Sequence, residues 1–133
     1  MECTLADYMM KYGSLKEYQA ACVFREIVKA VDYCHKEAKL IHYDIKPNNI
    51  LISLDQKNKK QIVRVKIADF GLSRGIDEKL VGGANEFGSL LYMAPEMMEL
   101  NKCFDNRIDN WSLGLILHVM VTGDHPFWDS SQK

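Results

Sequence analysis

Ile41-His42-Tyr43-Asp44-Ile45-Lys46-Pro47-Asn48-Asn49-Ile50 brings a carboxylate, an ammonium and a carboxamide (Asp44, Lys46 and Asn49) within five positions of each other. Leu40 and Ile41 precede them, and Ile50, Leu51 and Ile52 follow. Apolar flanks this short read as buried strands. Pro47 lacks an N–H and has a fixed φ, so neither a regular helix nor an inner strand can run through it. The polar side chains are therefore expected on a loop between two anchored strands, a frequent place for reacting groups. A structural loop can also hold Asp, Lys and Asn, so the flanking sequence has to decide between the two readings.

Upstream, two helices are expected. Thr4-Leu5-Ala6-Asp7 has the spacing of a capping box, and the helix it opens runs to Tyr12 and stops at Gly13. Ser14-Leu15-Lys16-Glu17 repeats the signal. In the second helix Ala20, Val23, Phe24, Ile27, Val28, Val31 and Cys34 recur at threes and fours as one apolar face, opposite Arg25, Glu26, Lys29 and Asp32. It should end near 36–39, where basic residues complement the helix dipole. His35 reads as a helix-end or core histidine.

Downstream, residues 55–61 form a polar turn, and Val63, Val65 and Ile67 alternate with Arg64 and Lys66 as a half-buried strand. That strand leads into Ala68-Asp69-Phe70-Gly71, where the glycine can take unusual backbone angles. A hairpin between the two apolar runs can bring Asp69 and Asn49 to one edge. Their carboxylate and amide oxygens are hard donors that suit Mg²⁺, which keeps its other sites for water and phosphate. Residues 73–88 lack periodicity, as functional or disordered segments do. Pro95 can open a short helix, and 101–107 is a polar connector. Residues 109–121 are apolar on nearly every side, which suits a helix at the centre of a core, with Asp109 as N-cap and Gly123 as stop. His118 and His125 read as structural.

The 133 residues suffice for one domain, and 47% apolar with 26% charged is an ordinary globular balance. A net charge of -1 gives no electrostatic case for nucleic acid or an anionic membrane as partner. Cys3, Cys22, Cys34 and Cys103 form no CxxC pair or zinc pattern and read as reduced core thiols of a cytosolic protein. No apolar run reaches the length of a membrane span, no signal peptide is legible at the N-terminus, and there is no internal repeat.

Together these stretches resemble the eukaryotic protein kinase family, serine/threonine type. His42-Tyr43-Asp44-Ile45-Lys46-Pro47-Asn48-Asn49 is similar to its catalytic loop and Asp69-Phe70-Gly71 to its metal-binding motif. Ala94-Pro95-Glu96 resembles the end of its activation segment, and 109–114 the start of its central helix. The resemblance implies an α+β, mainly helical fold: a partial large lobe with short β-hairpin strands at the catalytic edge. It implies transfer of the ATP γ-phosphate to a Ser or Thr hydroxyl of a protein substrate, with Mg²⁺ as cofactor and action in the cytoplasm. Asp44 would accept the hydroxyl proton, and Lys46 would offset charge on the moving phosphate. Asn49 and Asp69 would hold the metal, and Leu51 would lie under the adenine. His42 and Phe70 would stack in the core, and Asp109 would brace the loop backbone. Lys46 two residues past Asp44, and Gly88-Ser89 ahead of Tyr92-Met93-Ala94-Pro95-Glu96, resemble serine/threonine rather than tyrosine kinases.

Three departures qualify the resemblance. Tyr43 stands where the family usually has an arginine that grips a phosphate, and 74–88 contain no Ser, Thr or Tyr. Activity switched by a phosphate in the middle of that segment is therefore not expected. Residues 1–133 read as a partial kinase domain, from the tail of the hinge to just after the central helix. No Gly-rich phosphate loop of a small lobe is legible in them, and the isolated piece is expected to be inactive alone. The later helices of the large lobe are likewise not legible, so Glu96 is expected to lack its usual arginine and the 109–121 helix to leave an apolar patch uncovered. The alternative reading is a non-catalytic kinase-like binding module or scaffold.

Overall fold

The capping box at the start of the chain forms as its spacing predicts. A computed structural model describes residues 2–78, 80–81, 90–99 and 103–128, with only the backbone described at 80 and 81. In helix α1 (Leu5–Tyr12) the Asp7 N–H donates to Thr4 Oγ1 at 3.0 Å, and the Thr4 N–H donates back to Asp7 Oδ2 at 3.1 Å. Gly13 ends it at φ 79°, where a Cβ would be strained. Helix α2 (Glu17–Lys36) starts two residues later than a Ser14 cap would put it: its cap is Lys16, whose N–H donates to Gln19 Oε1. Leu15 is drawn into the core instead, its N–H bonded to the Met120 carbonyl, so Ser14 cannot enter a helix. Along α2 Ala20, Val23, Ile27, Val31 and Cys34 are buried, while Val28 lies at the open margin of the stripe.

Strand β1 (Glu2–Thr4), which sequence patterning missed, pairs antiparallel with β3 (Ile50–Leu54), and β3 pairs with β4 (Ile62–Ile67). Ile50 and Ile52 point into the core. The register slips at Ser53 and Leu54, which face Arg64 and Ile62, so Val63 is the extra residue of a bulge. The expected alternation therefore fails there: Val63 is exposed and Ile62 takes the half-buried place. At the hairpin tip Asp55 Oδ1 accepts the N–H groups of Lys57 and Asn58, which holds its carboxyl below the usual range.

Strand β2 (Leu40–Ile41) pairs not with β3 but with β5 (Arg74–Gly75), beyond the Asp69 turn. Strand β6 (Leu80–Val81) pairs with β7 (Cys103–Phe104). Helix α3 (Pro95–Met98) has Pro95 in its first turn, as expected. Helix α4 (Arg107–Thr122) begins before Asp109, so Asp109 is not its cap: the Arg107 N–H is taken by Asp105 Oδ1, and Asp109 turns inward. Gly123 stops it at φ 86°.

Two apolar cores result, and α4 joins them. Leu113, Ile116 and Met120 enter the first with Leu5, Val23 and Ile27; Ile108 enters the second with Ile41, Met93 and Met97. The exposed positions of α4 between 110 and 121 are Asn110, Gly114, His118 and Val121. On α4 itself the exposed apolar residue is Val121, because the helix packs on both cores; beyond its end Phe127, stacked on the half-buried Trp111, and Trp128 are exposed. His118 is exposed, while His125 sits edge-on to Tyr92 with ring centroids 5.2 Å apart. Of the free cysteines only Cys34 is buried; Cys22 and Cys103 are exposed, contrary to a reading of all four as core thiols. Among the described residues no helix is long and apolar enough to cross a membrane. Residues 82–89, including Gly88 and Ser89, lie outside the described residues.

Candidate active site

The loop between β2 and β3 is stitched to both cores. Ile41 and Tyr43 enter the second core and Ile45 the first, so alternate side chains anchor it on opposite sides. Tyr43 sits at φ 72°, a left-handed conformation that costs a non-glycine residue roughly 1–2 kcal/mol. Asp109 offsets that cost. Fully buried, it accepts the His42 N–H at 3.0 Å and the Tyr43 N–H at 3.1 Å, and it bonds His35 Nε2 at 2.7 Å. The carboxylate therefore serves the loop backbone, the role implied for it by resemblance. The Tyr43 ring meets Phe104 edge-on at 5.8 Å, and burial, with the Asp109 charge, raises its phenol above the ordinary range.

The strained loop presents Asp44, Lys46 and Asn49 as one cluster. Asp44 is 7% exposed, and its Oδ2 accepts from Lys46 Nζ at 2.7 Å and Asn49 Nδ2 at 2.9 Å. Asn49 Nδ2 also donates to the Asp44 carbonyl at 2.8 Å. Pro47 opens a single 3₁₀ turn, Pro47–Asn49, that carries Asn49 back over Asp44. Burying a carboxylate is costly unless it is paired and hydrogen-bonded in this way.

Asp69 reaches the same edge by register. Ile50 pairs with Ile67, and the Ala68 N–H donates to the Asn49 carbonyl at 2.9 Å, so Asp69 follows one residue past the last rung. Unlike the other three it is exposed. The unusual backbone angle falls on Asp69 itself, at φ 64°, and not on Gly71. Gly71 is needed for closeness instead: a Cβ there would lie 3.2 Å from Asp69 Oδ1, which accepts the Gly71 N–H at 3.3 Å. His42 ties the turn down through Nε2 to the Ala68 carbonyl at 3.1 Å and a tilted ring contact with Phe70 at 4.7 Å.

The donor set fits a hard divalent cation. The Asn49 amide protons are committed to Asp44, which leaves Oδ1 as the atom to meet a ligand, and Asp69 adds an exposed carboxylate. Among the described residues no three His, Cys, Asp or Glu side chains are grouped to hold a metal. A site of two oxygen donors is the kind that Mg²⁺ takes, keeping water and phosphate oxygens in its remaining positions. Leu51 pairs with Thr4 and Lys66 on the sheet face opposite Ile50 and Ile52, a half-buried aliphatic among polar neighbours.

His35 was legible only as a helix-end or core histidine; the structure makes it a partner of Asp109, with Asn106 on its other ring nitrogen at 3.2 Å. No spacing rule links residues so far apart in the chain. Glu96 is half-buried and lines an open cavity of about 650 Å³ with Arg107, whose guanidinium is paired with Asp105, so Glu96 stays partly wet.

Residues 1–133 match the family described as protein kinase domain. The chain is 37% identical to calcium-dependent protein kinase 29 of Arabidopsis thaliana over 129 residues, which cover 97% of this chain and 23% of that protein. It is 40% identical to the carbon catabolite-derepressing protein kinase of Candida tropicalis over 126 residues, 94% of this chain and 19% of the relative. The chain thus spans about a fifth of the length of these curated relatives.

Proposed function

The chain belongs to the protein kinase domain family, and on that footing we propose that it carries the phosphoryl-transfer edge of an ATP- and Mg²⁺-dependent protein serine/threonine kinase. Asp44 accepts the proton of the substrate hydroxyl and aims its oxygen at the γ-phosphate. Lys46 leaves Asp44 for the phosphate as negative charge moves across it. Asn49 and Asp69 hold Mg²⁺, which when bound neutralises phosphate charge, and Leu51 floors the adenine. The observation that carries this reading is Asp44 itself. It is a nearly buried carboxylate held by Lys46 and Asn49, on a loop whose strained backbone is braced by Asp109.

Residues 1–133 supply the central part of a kinase large lobe in this reading, from the hinge tail to the central helix. The setting is cytoplasmic, where ATP is available and free thiols persist. Activity does not depend on a phosphate within 74–88, because that stretch holds no hydroxyl side chain and Tyr43 replaces the gripping guanidinium with a ring packed on Phe104.

The test, made in the longer protein of which this reading takes 1–133 to be the central part, is phosphate transfer from labelled ATP to a generic protein substrate. Asp44→Asn is expected to lower turnover by about 10²–10⁴-fold while Mg·ATP still raises the melting temperature. Asn49→Ala with Asp69→Ala is expected to abolish that Mg²⁺-dependent rise. Undiminished transfer by the Asp44 variant would refute the assignment. A parent protein that binds a protein partner yet shows no shift with Mg·ATP would be a scaffold instead.

A further inference from the structure

Strand β7 is too short to hold itself in place. It pairs only Phe104 with Leu80 and Cys103 with Val81, and an isolated two-stranded ribbon is marginal in water. Its order has to come from packing. Of its two side chains Cys103 is exposed, while Phe104 is half-buried against the second core. There Phe104 meets the Tyr43 ring edge-on, with centroids 5.8 Å apart and planes at 67°. Aromatic pairs favour that geometry, and it stabilises beyond the area buried. Tyr43 is itself fixed: it is 6% exposed, and its N–H donates to Asp109 at 3.1 Å.

Phe104 lies opposite Leu80 in the register, so whatever seats Phe104 also seats β6. Strand β6 belongs to the stretch that leaves the Asp69 turn. That stretch is fastened first through β5, whose Arg74 and Gly75 pair with Ile41 and Leu40, and through the Ile76 N–H, which donates to the Lys39 carbonyl at 2.9 Å. Glu78 Oε1 accepts the Gly75 N–H at 3.0 Å and closes the turn that follows. Both fastenings end beside Asp44: β2 runs directly into its loop, and Tyr43 is its neighbour in the chain. Neither offers a hydroxyl to modify, since 74–88 contain no Ser, Thr or Tyr and the Tyr43 hydroxyl is buried.

We propose that Phe104 is a positioning residue: seated on Tyr43, it latches β7, and through β7 the 80–81 stretch, in one place beside the Asp44 loop without any phosphate. Loosening Tyr43 therefore loosens residues 80 and 81, far from it along the chain. The consequence for transfer rests on Asp44 being the reacting carboxylate, as proposed above for the site; the latch itself does not.

The test is hydrogen exchange of the full chain, read at the amides of residues 80, 81, 103 and 104 with the β3–β4 amides as internal reference. Phe104→Ala is expected to speed exchange there about tenfold relative to the reference, and Phe104→Leu, which keeps bulk without the ring, by less. Tyr43→Leu should speed the same amides, and joining it to Phe104→Ala should add little, because both remove one contact. Cys103→Ala, on the exposed side of β7, should change nothing. In the longer protein phosphatase treatment should leave protection at 80 and 81 intact, and Phe104→Ala should lower kcat/KM for the protein substrate several-fold, Phe104→Tyr by less. Exchange at 80 and 81 that ignores both substitutions, that rises only in step with the sheet, or that rises on phosphatase treatment would overturn the latch. A longer protein that transfers no phosphate would fault the reading of Asp44, while coupled exchange in the same material would uphold the latch.

Discussion

Asp109→Ala is the sharpest perturbation of the loop that carries Asp44. It removes the acceptor of two buried N–H groups, those of His42 and Tyr43, and the partner of His35. Each orphaned buried donor costs about 1–3 kcal/mol, so the loop backbone alone predicts a loss of about 2–6 kcal/mol. Set against the ~5–15 kcal/mol of a typical domain, that brings the chain near unfolding. Asp109→Asn keeps one acceptor oxygen but turns an amide donor toward a second donor, so about half the loss is expected. The assay is urea denaturation with the slope held in common, together with hydrogen exchange at the amides of residues 42 and 43. Both amides should lose protection in the alanine variant before the β3–β4 amides do. A stability change under about 0.5 kcal/mol, with amides 42 and 43 exchanging no faster than in the parent, would refute the reasoning.

Tyr43→Arg places a guanidinium in the second core beside Phe104, and about 3 kcal/mol of destabilisation is expected by thermal melting, with Tyr43→Phe costing less than half as much. Thr4→Ala should cost about 1 kcal/mol by removing the cap of α1. Hydrogen bonds from Thr4 hold the Asp7 carboxyl below its ordinary value, so its stabilisation is complete above the unfolded carboxylate range and is lost as pH falls through the lowered folded value. Carboxyl NMR titration should find the Asp7 midpoint returning upward in the Thr4 variant. Gly123→Ala must hold a Cβ at φ 86° and should lower stability by about 1 kcal/mol, whereas Gly114→Ala, with nothing near its Cβ position and inside α4, should be neutral or stabilising in the same melts. Val63→Thr, at the exposed bulge, should shift the melting midpoint little.

Local rules were enough wherever a signal and its partner lie within a few residues. The Thr4–Asp7 box, the stop at Gly13, the buried stripe of α2 and the turn at Pro47 depend on neighbours three or four positions away, and spacing exposes those. The motif order likewise placed Asp44, Lys46, Asn49 and Asp69 on one hairpin edge, because antiparallel pairing of two apolar runs leaves little choice of register. Where long-range packing competed with a local signal, the local signal lost: Leu15 went to the core and took the cap from Ser14, and the bulge turned Val63 outward.

The sequence alone therefore determined the family, the candidate site residues and the helices that frame them. Only the tertiary structure decided what holds the Asp44 loop in shape. Asp109 is more than sixty residues from the amides it accepts, His35 reaches it from another helix, and β2 pairs beyond the Asp69 turn instead of with its neighbour. Phe104 meets Tyr43 only once β7 has folded onto the second core. Hydrogen bonds and charge act through space, and at those separations along the chain no local pattern records which groups will meet.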